Sequence, residues 1–331
     1  MSALAMAVGI TAPETGKALL LNASYNPTYW LYQEFDRAFA AHWEQKTGKA
    51  VTLMQSNGAS GKQAWAVAHD DLEADIVTLA LAPDIEKIQR AGLIDKGWQT
   101  RLPYNSSPYT STIVFLVRKG NPKQIRDWDD LTRTDVSVIA PNPKVSGGAR
   151  WMYLTAWGYE LARTGGDQVR AREFTRRLYK NATVLIPPDR GLTLPFVEQN
   201  LGDVLIAWEN EAYIAVNDLS QDQFEVVTPS ISILAEPVAA VVDRVVDRNG
   251  TRALAQAYLE YLYSEQGQEI VARHYYRPRL ESVAAKYADR PKMNLFTVDE
   301  VFGGWQKAQA VHFAEGGIFD QMCLVCMWYE R

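Results

Sequence analysis

Cysteine is nearly absent from this chain: only Cys323 and Cys326 occur, both close to its end. That excludes a disulfide framework as the source of stability and leaves the work to hydrophobic cores. A Cys-x-x-Cys pair can be redox-active or half of a zinc site, but zinc needs two further ligands. The four histidines, His42, His69, His274 and His312, are scattered and show no pairing that supplies them. A redox pair belongs at the start of a helix in a strand–helix unit, which a chain end does not provide. The pair is read as incidental, within an unusually apolar tail. Long apolar runs are missing as well, since no stretch reaches the about 18 residues that a spanning helix needs. Basic excess is missing too: 34 Lys and Arg against 39 Asp and Glu leave a net charge of −5. A nucleic-acid partner is not expected, because neutralising phosphates requires a basic face. Low-complexity segments and short-period repeats are absent.

What is present is enough chain for two lobes, 331 residues, with ordinary soluble composition at 47% hydrophobic and 22% charged. The start differs from the rest. Residues 1–10 are small and apolar, and polar residues then lead into a first strand near 18. This resembles the tail of a secretory signal peptide, although no Lys or Arg precedes the apolar part. Residues 1–17 are therefore expected to be a residual export signal or an unstructured start, and the protein to be periplasmic.

Strand and helix patterns alternate from there on. Strands are expected at 19–23, 51–54, 76–80, 112–118, 136–139, 204–208, 224–227, 233–235 and 238–242. A helix from Pro27 to about Thr47 carries Leu31, Phe35, Ala38, Phe39 and Trp43 at helical spacing. Further helices are expected after Gly61, at 85–90 behind an Asp84 cap, at 153–161, at 171–179, and as a pair over 252–273. This is an α/β alternation with two sheets, in which ligands sit at the carboxyl ends of strands. The chain is expected to cross between lobes near 112 and 238. That makes one lobe of 18–111 plus 236–331 and another of 112–235.

Two turns stand out. Ser146-Gly147-Gly148 follows an apolar strand and opens a helix, with one basic residue, Lys144 or Arg150, on each flank. Such a turn leaves backbone N–H groups without intrahelical partners, at the positive end of the helix dipole. Glycines let a ligand approach the main chain, so binding falls mostly to backbone. The same arrangement recurs at Gly58-Ala59-Ser60-Gly61-Lys62, which invites comparison with a phosphate-binding loop. The required spacing is missing, and Gln63 stands where a magnesium-binding hydroxyl belongs. No paired base and nucleophile and no metal-ligand cluster appear, although Glu209 and Glu211 follow a pocket strand. Two anion-type helix starts without a catalytic constellation favour binding over chemistry. No enzyme activity, cofactor or metal is expected.

At this point the chain closely resembles the periplasmic sulfate/thiosulfate-binding proteins, the solute receptors of ABC importers. The resemblance spans roughly 18–320. It is carried by Ser24-Tyr25-Asn26-Pro27-Thr28, Ser60-Gly61-Lys62-Gln63, Ser146-Gly147-Gly148-Ala149-Arg150-Trp151, Val204-Leu205-Ile206-Ala207-Trp208-Glu209-Asn210-Glu211 and Tyr276-Arg277-Pro278-Arg279, among other segments. It implies a type II periplasmic binding protein, two α/β lobes closing over one ligand. It also implies a dehydrated sulfate held mainly by backbone N–H groups, a serine hydroxyl and an indole N–H, without a countercharging side chain. Carried over by position, the ligand residues are Ser60, Ser146, Gly147, Gly148, Asp189 and Trp208. Ser24, Asn26 and Arg190 would support the pocket. The expected partners are sulfate or a related oxyanion and the membrane permease of an importer, with the receptor acting as a monomer.

The chain departs from that pattern in places. Asn26 replaces the usual Asp. Asn57 and Ala59 replace His and Gly. Asp189 replaces a small residue whose N–H binds sulfate, and a carboxylate there would oppose a dianion. Tyr29, Trp30 and Trp65 stand where the family tends to carry polar or smaller residues. Either sulfate binding persists, or the pocket is retuned for an organosulfur anion or a zwitterionic or cationic ligand held by carboxylate and ring faces.

Overall fold

The computed structural model describes residues 18–184, 193–219, 222–287 and 290–322. The expected features at 1–17, at Asp189 and Arg190, and at Cys323 and Cys326 lie outside the described residues.

β1 (Ala18–Tyr25) leads through a short turn into α1 (Tyr29–Thr47). Leu31, Tyr32, Phe35 and Phe39 of α1 are buried at helical spacing, and Gly48 ends the helix with φ 69°. Its N–H caps the Glu44 carbonyl in that left-handed conformation. β2 (Val51–Gly58), α2 (Ser60–Ala68), β3 (Ile76–Leu79) and α3 (Ala82–Arg90) follow. α1 belongs to one hydrophobic cluster of this sheet and α2 and α3 to another, so the sheet is covered on both faces. A single turn, α4 (Pro103–Ser106), precedes the short β4 (Tyr109–Thr110).

A second sheet then begins: β5 (Ile113–Arg118), β6 (Val138–Ile139), α5 (Gly147–Thr164), β7 (Ala182–Val184), β8 (Val204–Trp208) and β9 (Phe224–Val227). β10 (Ile231–Ile233) leads back to β11 (Val238–Val241), which returns to the first sheet. β12 (Arg277–Pro278) pairs with β4, and β13 (Asn294–Phe296) pairs with β10. The first sheet runs β11-β3-β1-β2, parallel except for β11. The second runs β7-β6-β8-β5-β9, with β5 antiparallel to both neighbours. Between the sheets the chain passes at Ser111 and Ala235, which bridge each other in antiparallel sense.

Most elements fall where the periodicity places them, with three differences. The helix expected from 153 starts at Gly147, because Ser146 caps it and both glycines lie inside its first turn. Asp84 is no cap: Leu81 takes that position, and the Asp84 carboxylate turns instead to Ser60 and Lys87. The stretch after 236 divides in two. Residues up to Tyr276 pack with the first sheet, whereas Phe296, Val298, Phe302, Phe313 and Phe319 join the core of the second. β13 pairing with β10 carries the chain back across.

Candidate ligand-binding site

The carboxyl ends of β1, β2, β3, β6 and β8 converge on one small cavity between the sheets. Its walls are Tyr25, Asn26 and Pro27 after β1, Gly58, Ala59 and Ser60 after β2, and Ala80 after β3. Pro141, Ser146, Gly147 and Gly148 after β6, with Trp208 and Glu211, complete it. The cavity volume is about 40 Å³, room for a few waters or one compact anion.

Of the residues expected at the site, Asn26, Ser60, Ser146, Gly147, Gly148 and Trp208 all line this cavity. Ser24 does not reach it. That side chain is fully buried beneath, with Oγ 2.5 Å from Thr28 Oγ1 and accepting from Thr78 Oγ1 at 2.8 Å. It ties the turn after β1 to β3.

Two helices point their N-termini at the cavity. α5 is 18 residues long and capped by Ser146, whose Oγ accepts the Ala149 N–H at 3.3 Å. Having accepted with its oxygen, that hydroxyl keeps its proton to give. The glycines are there for proximity. A Cβ on Gly148 would sit 2.6 Å from Trp208 Nε1, and one on Gly147 3.1 Å from the Cβ atoms of Ser60 and Ala80. The indole N–H therefore lies directly against the helix start.

α2 begins with Ser60 and has no side-chain cap. The Ser60 hydroxyl is already engaged: it donates to Asp84 Oδ2 at 2.7 Å and accepts the Ala80 N–H at 3.1 Å. Asp84 is wholly buried, and Lys87 Nζ reaches it at 3.1 Å while Arg150 Nη1 approaches to 3.8 Å from α5. The basic flanks of the Ser-Gly-Gly turn face away from the cavity. Arg150 Nε donates to the Pro143 carbonyl at 3.0 Å, and Lys144 Nζ bonds Asp320 at 2.8 Å. No Lys, Arg or His lines the cavity among the described residues.

Glu211 is a further residue of the cavity wall. Its Oε2 is buried without a hydrogen-bond partner, and burial pushes the carboxyl up to about 7. Its position three residues past Trp208, on the helix Glu209–Ile214, was the available signal. Glu209, by contrast, is clamped by Arg277 with two contacts of 2.7 Å. Tyr29, Trp30 and Trp65 are 43%, 54% and 55% exposed and do not line the cavity. Tyr29 meets Trp30 edge-on at 5.0 Å, and Trp65 stacks on His69 at 4.4 Å.

Sheet order, crossings and cavity together define a class: a type II periplasmic binding protein, two α/β units with a ligand cleft between them. A ferric binding protein from Campylobacter jejuni has the same fold, with a TM-score of 0.61 at 13% identity over 92% of this chain and 99% of that one. The family model described as bacterial extracellular solute-binding protein matches residues 32–277. The sulfate-binding protein of Escherichia coli (strain K12) is 61% identical over 304 residues, 92% of each chain. A thiosulfate-binding protein from Pseudomonas aeruginosa is 47% identical, over 92% of this chain and 91% of that one. The structure of the sulfate-binding protein SubI from Mycobacterium tuberculosis H37Rv is similar with a TM-score of 0.79 and 33% identity, covering 88% of this chain and 98% of that one. The chain belongs to the bacterial extracellular solute-binding proteins, and within them to the group of sulfate- and thiosulfate-binding proteins.

Proposed function

We propose that this protein is the extracytoplasmic receptor of an ABC importer, binding sulfate or thiosulfate and delivering it to the membrane permease. The observation that carries this is the cavity itself. Two helix N-termini, a capping serine that keeps its proton, and an indole N–H meet around a space the size of a compact anion. Charge is met by dipoles, since no cationic side chain lines the wall among the described residues. Ser60, Ser146, Gly147, Gly148 and Trp208 are the ligand residues in this proposal, with Ser24 and Asn26 as support. The resemblance adds the Asp189 N–H as a ligand donor and Arg190 as support for its loop. Binding, not catalysis, is the role, and the receptor acts as a monomer in the periplasm.

The lobes that close are proposed to be 18–111 with 236–287, and 112–235 with 294–322, turning about the crossings at Ser111 and Ala235 and the return between β12 and β13. The small cavity, with the extra aromatics lying outside it, favours a bare oxyanion over a bulkier organosulfur or cationic ligand. Calorimetric titration of ligand-free protein with sulfate and thiosulfate at neutral pH is the test. Micromolar or tighter binding of either is expected; no heat and no thermal stabilisation by either would refute the assignment.

A further inference from the structure

Trp305 lies in the C-terminal stretch that folds back onto the second sheet, yet it packs against both sides of the cleft. It touches the core of the second sheet and also the cluster of the first sheet that contains Ala82, Ile85 and Ile88 of α3. Its ring meets Trp151 of α5 edge-on, with centroids 4.6 Å apart and planes at 90°. Trp151 is buried, and its indole N–H crosses to the Ala80 carbonyl at 2.9 Å. Ala80 and Leu81 follow β3 of the first sheet but pack into the core of the second. Neither tryptophan lines the cavity.

We propose that Trp305 and Trp151 form a latch across the cleft that is made only on closure and holds the closed form whatever anion lies inside. The inference rests on the receptor reading above. Turning the lobes apart about Ser111 and Ala235 draws Ala80 and α3 away from α5 and from the helix Trp305–Ala308. That exposes the apolar face of Trp305 and breaks the Trp151 hydrogen bond. Because these contacts bias the open–closed equilibrium and not the anion itself, they scale every ligand's apparent affinity by one factor. A residue touching the anion instead changes the ratio between ligands. The two kinds of role are therefore separable by experiment.

The test compares Trp151→Phe, which keeps an aromatic ring but removes the pyrrole half of the indole together with its N–H, with Trp305→Ala. Sulfate and thiosulfate affinities are measured by calorimetry, and sulfate release by stopped flow. Both variants are expected to weaken both anions by the same factor, roughly 3- to 10-fold, carried by faster release. Unchanged affinities in both variants, or a loss confined to one anion, overturn the latch while leaving the receptor reading intact. A wild-type protein that binds neither anion overturns the receptor reading and the latch with it.

Discussion

The two halves of the cavity are built from the same local device and use it differently. Each has a serine at a strand-to-helix turn followed by glycine: Ser60-Gly61 after β2 and Ser146-Gly147-Gly148 after β6. On the second-sheet side, the Ser146 oxygen satisfies its own helix and its proton stays available. On the first-sheet side, the Ser60 proton is committed to Asp84, and its oxygen serves Ala80. The acids differ in the opposite sense. Asp84, on the first side, is met by Ser60, Lys87 and Arg150, whereas Glu211, on the second, has an oxygen with no partner. The Ser146 hydroxyl is thus free to donate to an anion, whereas the Ser60 hydroxyl is tied into the scaffold and the first side offers the backbone N–H groups of its helix start. A motif of Ser-Gly before a helix does not by itself say which state its hydroxyl is in.

The sharpest way to break the comparison is Gly148→Ala. The added Cβ would collide with Trp208 Nε1 at 2.6 Å, displacing the indole and the first turn of α5 together. Overpacking of this kind costs about 1–3 kcal/mol before any lost ligand contact is counted. Sulfate affinity is expected to fall by about 100-fold, read by calorimetry. Retention of wild-type affinity would show that neither group contacts the anion.

Next in size is the pair of serine deletions. Ser146→Ala removes a free donor and is expected to weaken sulfate binding by about 1–3 kcal/mol. Ser60→Ala leaves the Ala80 N–H and the Asp84 carboxylate each short of a partner in a buried setting. Its larger effect is expected on the ligand-free protein, about 1–3 kcal/mol in denaturant melts. Should Ser60→Ala melt like wild type while losing affinity as Ser146→Ala does, the Ser60 hydroxyl turns to the anion and the contrast between the halves dissolves.

Much of this was legible in the sequence, for definite reasons. β8 and β9 occupy the expected ranges because short apolar runs bounded by polar turns have few other ways to be buried. That helices begin at Ser60 and just after Ser146 was legible because serine followed by glycine after an apolar strand marks a strand-to-helix turn. The start of α5 was misjudged because glycine reads as a turn residue, whereas Gly147 and Gly148 are helical and small for the sake of Ser60, Ala80 and Trp208. Asp84 read as a cap because its partner Ser60 lies 24 residues away, beyond any local pattern. The return of 294–322 to the second core was hidden for the same reason. It rests on the pairing of β13 with β10, some sixty residues apart.

The remaining contrast concerns the acids. Burial lifts the Glu211 carboxyl to about 7 in the folded protein, from 4.5. The folded state therefore holds a proton that the unfolded chain releases earlier. Its contribution to stability is complete below about pH 4.5 and is lost as pH rises through about 7, with a slope of at most ~1.4 kcal/mol per unit. Glu211→Gln removes the titration while keeping the shape of the neutral acid. The variant is expected to lie within about 1 kcal/mol of wild type at pH 5 and to gain up to a further ~2.5 kcal/mol over it by pH 8, in urea melts of ligand-free protein. Asp36 provides the internal check. Burial lifts it to about 6, but Tyr258 and Gln55 both donate to it. Asp36→Asn flattens the corresponding window at lower pH and leaves the Glu211 step in place. If Glu211→Gln and wild type keep the same difference at pH 5 and pH 8, Glu211 is ionised in the fold. The second side of the cavity would then carry a compensated acid like the first.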